Sequence, residues 1–390
     1  MKAIIGGGGL GGLTAAAALA QRGWDVTVYE RQPELRASGS GIYIWENGLR
    51  TLEAIGGLAA VLQRPFRGLA FEQRDRDNRV IDPGVLPEAL RLITVPRSDL
   101  LLALKGAAER RGVKIRTNAE VTGATARGEL FFADGSVEAA DLAVGADGIW
   151  SKVREALALE LVHDQTAEGA HRVIIPGTQS DLGHHGQDKY IENWNGSRRF
   201  LITPINDSEI YLALTCLKDD QRGKRLPIDK ATWKDSFPHW AHLIDRIEGP
   251  ITWGVYSTVK VRSWSAGRTA LLGDAAHAQP PNLGQGGGMA MQMGLALAVH
   301  LEKAHDQRDI PDALLAWEAA ERDLVDHCQK WSCLYGEVTY LPDEVRSLVV
   351  RSAMANPWIQ TQFARAAAST PTGAIMPSAD RVRAPALSDS

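Results

Sequence analysis

The chain has 390 residues, 23% charged and 44% hydrophobic, with a formal net charge of −4 at pH 7. That is long enough for a large core or for lobes that share one, and so even a charge balance offers no basic surface to nucleic acid or to an anionic membrane. No apolar run approaches bilayer-spanning length, and three cysteines, Cys216, Cys328 and Cys333, without CxxC spacing fit buried thiols in a reducing cytoplasm.

Ala3 to Ile5 predicts a buried strand, the glycine run a tight turn, Leu13 to Gln21 an alanine-rich helix, and Val26 to Tyr29 a second, parallel strand. Such a βαβ unit holds a dinucleotide. Gly7 turns sharply out of the strand, Gly9 lets backbone approach a pyrophosphate, and Gly12 lets the helix pack close with its N-terminus aimed at phosphate. A frame on Gly6, Gly8 and Gly11 is also open. The Gly7 frame is preferred, because Leu13, Ala16, Leu19, Gly23 and Val26 then fall at packing positions. Leu10 lies within the turn. Glu30 ends the second strand about twenty residues after the glycines, where a carboxylate accepts from a ribose diol, with Arg31 beside it. Lys2 and Ala18-Leu19-Ala20 superficially imitate a signal peptide, but glycines interrupt its apolar core.

Glu34 to Gly48 reads as a glycine-rich loop of the kind that hugs a ligand, with Asn47 capping a helix to about Leu62. Residues 66–95 read as irregular strands, and Ser98 caps a helix ending near Gly112, with Arg97 just before it. Lys114 to Val121 and Leu130 to Glu138 predict an antiparallel meander that turns at Asp134-Gly135. Leu142 to Gly145 returns to the parallel sheet and delivers Ala146-Asp147-Gly148, Ser151 and Arg154 to its carboxyl edge, where ligands bind.

From about His163 to Val261 alternation without helices predicts an antiparallel second lobe, interrupted by a helical insert over 227–247. The parallel domain resumes at Arg268 with a strand ending in Gly273-Asp274, a loop through Pro281, Gly284 and Gly286, and a helix from about Gly287. Backbone N–H groups gathered there suit an electron-rich acceptor. Pro311 to about Tyr340 is a long amphipathic helix, and the Ala/Ser/Pro/Thr-rich tail from Ala366 predicts disorder. His184 and His185, adjacent in sequence, would point to opposite faces of a strand, and no third ligand is spaced for a metal. No metal site is expected.

Together the glycine turn with Glu30, Gly145-Ala-Asp147-Gly148 with Ser151 and Arg154, and Gly273-Asp274 through Pro281 to Gly286 resemble the class A flavoprotein aromatic monooxygenases over most of the chain. The resemblance implies an α/β fold of the p-hydroxybenzoate hydroxylase type: a Rossmann-like FAD-binding domain, an antiparallel β-sheet substrate lobe and C-terminal helices. The corresponding segments are 1–70, 95–160 and 265–305 for the FAD domain, 71–94 and 161–264 for the substrate lobe, 306–365 for the helical region, and 366–390 for the tail. FAD is then the cofactor and NADH or NADPH a transient co-substrate. Gly7, Gly9, Leu10, Gly12, Glu30 and Arg31 match the adenosine site, and Arg97 an arginine near the flavin. Asp147 and Gly148 match a motif tied to FAD and to the reductant. Asp274 matches the ribityl contact, Gly284, Gly286 and Gly287 lie at the isoalloxazine ring, and Pro281 lines its reacting face. Many members carry Asn where this chain has Gly288.

Gly23-Trp-Asp-Val, Glu34-Leu-Arg-Ala, Gly41-Ile-Tyr-Ile-Trp and Asn47-Gly-Leu-Arg resemble the family's pyridine-carboxylate branch. By that resemblance Arg199 grips a substrate carboxylate and Tyr211 holds a ring hydroxyl or its anion. Arg172 is a second candidate, and Phe71 is the nearest aromatic to where another active-site tyrosine is expected. The expected reaction is hydroxylation, with or without ring opening, of a small hydroxylated pyridine or aromatic carboxylic acid through a flavin C4a-hydroperoxide, with water excluded by the second lobe. A flavin oxidase or dehydrogenase is the competing enzyme class, and a redox-sensing or FAD-binding scaffold the non-enzymatic one. The Asp147-Gly148 motif and the absence of an evident proton-abstracting base favour the monooxygenase.

Overall fold

The computed structural model describes residues 1–35, 40–249 and 251–374; residues 36–39 of the predicted ligand loop and 375–390 of the predicted tail lie outside the described residues. Strand β1 (Lys2–Gly6), helix α1 (Leu10–Ala20) and strand β2 (Asp25–Tyr29) form the expected βαβ unit. The helix begins at Leu10, earlier than expected, because Gly11 and Gly12 are wound into its first turn. Its alanine-rich surface is buried nearly all round, as suits a helix held between the sheet and other helices.

Strand β3 (Gly41–Trp45) leads directly into α2 (Glu46–Ala54), so Asn47 lies inside a helix and not at its cap; α3 (Leu58–Val61) follows. Strands β4 (Phe66–Arg67), β5 (Ala70–Arg74), β6 (Val80–Asp82) and β7 (Leu92–Pro96) precede α4 (Arg97–Glu109). Pro96 occupies the N-cap of α4 in place of Ser98, and Arg97 is its first residue. Next come β8 (Lys114–Arg116), β9 (Val121–Thr125), β10 (Glu129–Phe132), β11 (Val137–Ala139), β12 (Leu142–Gly145) and α5 (Lys152–Ala156). Strand β8 pairs in parallel with β2, so it joins the main sheet and only β9 to β11 form the meander.

The second lobe comprises β13 (Glu160–Pro176), β14 (Lys189–Asn195), β15 (Arg198–Pro204), β16 (Glu209–Leu217), an insert with α6 (Lys230–Ser236) and α7 (Ala241–Asp245), and β17 (Trp253–Val261). The chain returns through β18 (Ser265–Ala266), β19 (Thr269–Leu271), α8 (Asp274–His277) and α9 (Gly286–His300), then ends in α10 (Ile310–Gly336), α11 (Asp343–Met354) and α12 (Pro357–Ala364).

The main sheet has the order β18-β19-β12-β1-β2-β8 and is parallel except for β18. The second sheet runs β17-β13-β16-β15-β14-β5-β6, antiparallel except where β14 meets β5. Alternation assigns its two faces. Phe200, Ile202, Ile210, Leu212 and Leu214 pack under Trp233, Phe237 and Trp240 of the insert. Each such large apolar side chain contributes roughly 1.5–3 kcal/mol on burial. The intervening residues point the other way, toward β3 and the nucleotide-binding half. There a Cβ on Gly41 would lie only 2.7 Å from Tyr211 Cβ, so bare backbone lets the two halves meet.

Helix α10 ties those halves together. Gln329 Nε2 donates to Val259 O at 2.8 Å and to Ala278 O at 2.7 Å, and Ser332 Oγ donates to Pro280 O. The disorder expected from Ala366 onward is corrected for residues 366–374. Ala366 and Ala367 are buried, Asn47 N donates to Ala367 O at 3.1 Å, and Arg50 Nη1 donates to Thr370 Oγ1 at 2.8 Å. Composition favoured disorder, but small side chains also suit close docking onto α2. Among the described residues no helix is long and apolar enough to cross a membrane.

Candidate active site

The glycine turn divides into steric classes. Gly7 has φ +112°, and a Cβ there would lie 2.2 Å from the Ala146 carbonyl oxygen; on Gly12 it would lie 2.1 Å from the Gly7 carbonyl oxygen. Backbone blocks both. On Gly9 a Cβ would meet nothing within 4 Å among the described residues, leaving open ground at the N-terminus of α1. Among the described residues, a Cβ on Gly6 would meet the Val121 side chain and one on Gly8 the Leu35 and Glu30 side chains, not backbone, so backbone sterics favour the Gly7, Gly9, Gly12 frame. Glu30 braces the turn: its Oε2 accepts from Gly8 N at 2.9 Å and its Oε1 from Gln32 N at 3.0 Å. Leu10 is buried, with its Cδ1 3.0 Å from where a Cβ on Gly287 would sit, and Arg31 is exposed.

Asp147 works on its own loop. Its Oδ1 accepts from Ser151 Oγ at 2.6 Å, and its Oδ2 from Lys152 N at 2.7 Å and Val153 N at 3.2 Å, at the start of α5. Gly148, at φ +84°, would present a Cβ to nothing within 4 Å among the described residues. Arg154 staples this loop to α8 by donating to Ile149 O at 2.7 Å and Ala275 O at 2.9 Å.

Asp274 opens α8. It is exposed, yet sits deep enough that burial raises its carboxyl pKa against the pull of Arg97. That combination describes a carboxylate lining an enclosed space. Arg97 is also exposed, and its charge acts on both Asp274 and Tyr211. Pro281 heads the loop with its ring exposed, Gly284 adopts φ +61°, and α9 starts at Gly286, where a Cβ would meet nothing within 4 Å among the described residues. At Gly288 the amides come from elsewhere. A Cβ there would lie 3.2 Å from Gln285 Oε1 and 3.5 Å from Asn47 Nδ2, while Asn47 Nδ2 donates to Gln285 and Gln292, each at 3.1 Å.

The inward face of the second sheet falls into rows by register. Ile174, Tyr211, Thr203, Tyr190 and Phe71 make one row; Arg172, Ala213, Leu201, Glu192 and Gln73 the next; Ala170, Thr215, Arg199 and Trp194 a third. Tyr43 from β3 joins the first row: its hydroxyl bonds Thr203, and its ring centroid lies 5.3 Å from Tyr190 and 5.7 Å from Phe71. The glycine loop reaches this cluster, since a Cβ on Gly284 would lie 3.3 Å from Tyr43 Cβ. Tyr211 is buried beside Arg172, whose guanidinium lies 5.3 Å from the Tyr256 ring centroid. Burial pushes the Tyr211 hydroxyl up to about 12, with Arg172 pulling the other way.

Arg199 is already paired within the protein. It is 5% exposed, with Nη1 3.2 Å from Glu192 Oε1, Nη2 3.8 Å from Glu168 Oε1, and Nη2 donating to Asn282 Oδ1 at 2.8 Å. Its face lies 5.0 Å from the Trp194 ring centroid. Burial alone would make this guanidinium easier to deprotonate, but the two carboxylates outweigh it and hold the charge. The carboxylate grip expected of Arg199 is therefore filled from within the protein. Glu192, Tyr190 and Tyr43 are not among the site residues expected from the sequence. The alternation of Tyr190, Glu192 and Trp194 along β14 was the available signal for the first two.

The family model described as FAD binding domain matches residues 1–331. The chain is 40% identical over 373 residues to a putative 2-heptyl-3-hydroxy-4(1H)-quinolone synthase of Rhodococcus erythropolis, covering 95% of this chain and 97% of that one. It is 29% identical to a 6-hydroxynicotinate 3-monooxygenase of Pseudomonas fluorescens, covering 85% and 91%. A solved tetrameric form of 2-methyl-3-hydroxypyridine-5-carboxylic acid oxygenase matches with a TM-score of 0.83 at 36% identity, covering 94% and 95%.

Proposed function

This chain belongs to the FAD binding domain family and is a class A FAD-dependent monooxygenase of aromatic substrates, and we propose that it hydroxylates a neutral, electron-rich nitrogen heteroaromatic ring of the 4(1H)-quinolone type, using NADH or NADPH and O2. The observation that carries this reading is the charge balance of the inward sheet face. Its central row places Ala213 and Leu201 between Arg172 and Glu192, with aromatic Tyr43, Phe71 and Tyr190 alongside, while Arg199 is already paired. Such a wall suits an apolar ring and alkyl substituent better than the carboxylic acid that Arg199 alone suggested. The ring class follows the quinolone synthase, in whose named product the oxygen sits at the 3-position.

The residues present fit FAD: the Gly7 and Gly12 backbone leaves an open approach at Gly9, and a deep yet accessible Asp274 faces Arg97. Gly7, Gly9, Leu10, Gly12, Glu30 and Arg31 would hold its adenosine half. Arg97, Asp274, Gly284, Gly286 and Gly287 would hold the ribityl chain and ring, with Asp147 and Gly148 shaping the adjoining loop. FAD supplies the oxygen-transfer chemistry when bound. The chain's own part is placement and dryness. Arg172 with Tyr211 would take the ring oxygen, Pro281 would bound the ring opposite the sheet, and the aromatic row would exclude water.

The test is oxygen uptake by the FAD-loaded protein with 2-heptyl-4(1H)-quinolone and NADH or NADPH, in 18O2, with catalase added at the end. Stimulated uptake, a product heavier by one labelled oxygen and no oxygen return are expected. Uptake stimulated only by hydroxypyridine carboxylates would overturn the neutral-ring reading.

A further inference from the structure

We infer that Glu168 and Glu192 form a specificity filter that cancels Arg199 and bars a substrate carboxylate from it. The inference rests on the reading above, since it explains how the same sheet comes to accept a neutral ring.

The inward face carries two arginines within adjacent rows, and their surroundings differ. Arg172 is exposed and lies beside hydroxyls, those of Tyr211 and Tyr256. Arg199 is enclosed by Glu192 at 3.2 Å and Glu168 at 3.8 Å, with Asn282 taking a further N–H. Both acids are nearly fully buried and held by their own partners: Tyr335 bonds Glu192, and Thr339 Oγ1 donates to Glu168 Oε1 at 2.7 Å. A nearby second cation, Arg346 over the Trp194 ring at 4.9 Å, is itself matched by Asp343 at 2.7 Å. The two acids therefore offset the Arg199 charge from within the protein.

A carboxylate reaching Arg199 would have to displace Glu192 or sit beside it. Either crowds a third carboxyl group around one guanidinium that Glu192 at 3.2 Å and Glu168 at 3.8 Å already occupy, in a nearly fully buried cluster, which is unfavourable. A carboxamide of the same shape escapes that repulsion. The filter discriminates by repulsion rather than by any better contact to the accepted ligand.

The probes are 6-hydroxynicotinate and its carboxamide, titrated into the FAD-loaded protein and followed by perturbation of the flavin absorbance, so that binding is read without turnover. Wild-type protein should bind the amide more tightly than the acid. In Glu192→Gln, and independently in Glu168→Gln, the acid-to-amide affinity ratio should rise by at least about tenfold, equivalent to about 1.4 kcal/mol. Equal or tighter binding of the acid by the wild type overturns the filter, as does a ratio unmoved in a folded variant. If neither variant folds, the wild-type ratio alone decides. Quinolone turnover, measured separately, tests the substrate reading, so either can fail without the other.

Discussion

At the residue scale, Gly9 and Gly12 should fail in different ways. Gly12→Ala drives a Cβ to 2.1 Å from the Gly7 carbonyl oxygen, so the apoprotein itself must shift, at about 1–3 kcal/mol by the usual cost of overpacking. Gly9→Ala meets no described atom within 4 Å and should leave apoprotein melting unchanged while weakening FAD, because the added methyl stands where backbone must approach phosphate. Thermal melts of the two apoproteins, with FAD titrated by fluorescence, check this. Equal apoprotein melting for both variants would remove the steric distinction. These glycine roles were legible in the sequence because they are local, fixed by spacing along one βαβ unit. The surroundings of Arg199 were not. Alternation puts it on the inward face, but its pairing with Glu192 depends on β14 lying beside β15, and with Glu168 on β16 separating β13 from β15.

At the element scale, α8 joins the dinucleotide half to the Pro281 loop, and His277 closes it. The ring is 7% exposed and lies 5.7 Å from the Trp264 ring centroid; burial pulls its pKa from 6.5 down to about 4. A histidine depressed in the folded state favours folding fully above its unfolded value of 6.5, and that stability is lost as the pH falls toward about 4. Between pH 7.5 and 5 the loss should be about 2 kcal/mol at 1.36 kcal/mol per unit. Urea unfolding of the holoprotein at both values, compared with His277→Gln, isolates it, and an identical pH loss in the variant would refute the assignment. The sequence of this stretch looks like loop, because Gly273 and the following prolines mask a single helical turn that tertiary contacts supply. For the same reason β8 was read into the meander: too short to declare its partner, it takes its place from β2.

At the scale of the whole molecule, α10 fixes where the second sheet stands over the Pro281 loop. Gln329 bridges Val259 O and Ala278 O, Ser332 donates to Pro280 O, Asn282 Nδ2 donates to Ser332 O at 2.9 Å, and Tyr335 bonds Glu192. One helix thus bonds the loop and the sheet that together would enclose the ring. The amphipathic pattern of α10 announced a packed helix, but periodicity says nothing about Gln329 and Ser332, polar residues on a buried stripe whose partners come from separate segments. Gln329→Ala removes a donor from Val259 O and from Ala278 O, of which Ala278 O keeps Val259 N at 3.0 Å, and should cost about 1–3 kcal/mol of stability. A monooxygenase that loosens there should also admit water and lose coupling, with more reductant diverted to hydrogen peroxide per product formed. Leu348→Ala, at a residue 65% exposed on α11, is the matched control. Peroxide yield per NADH or NADPH consumed, measured with the best quinolone or pyridine substrate, should rise in Gln329→Ala and stay at the wild-type level in Leu348→Ala. A destabilised Gln329→Ala that remains fully coupled would mean that α10 supports the fold without governing the closure of the site.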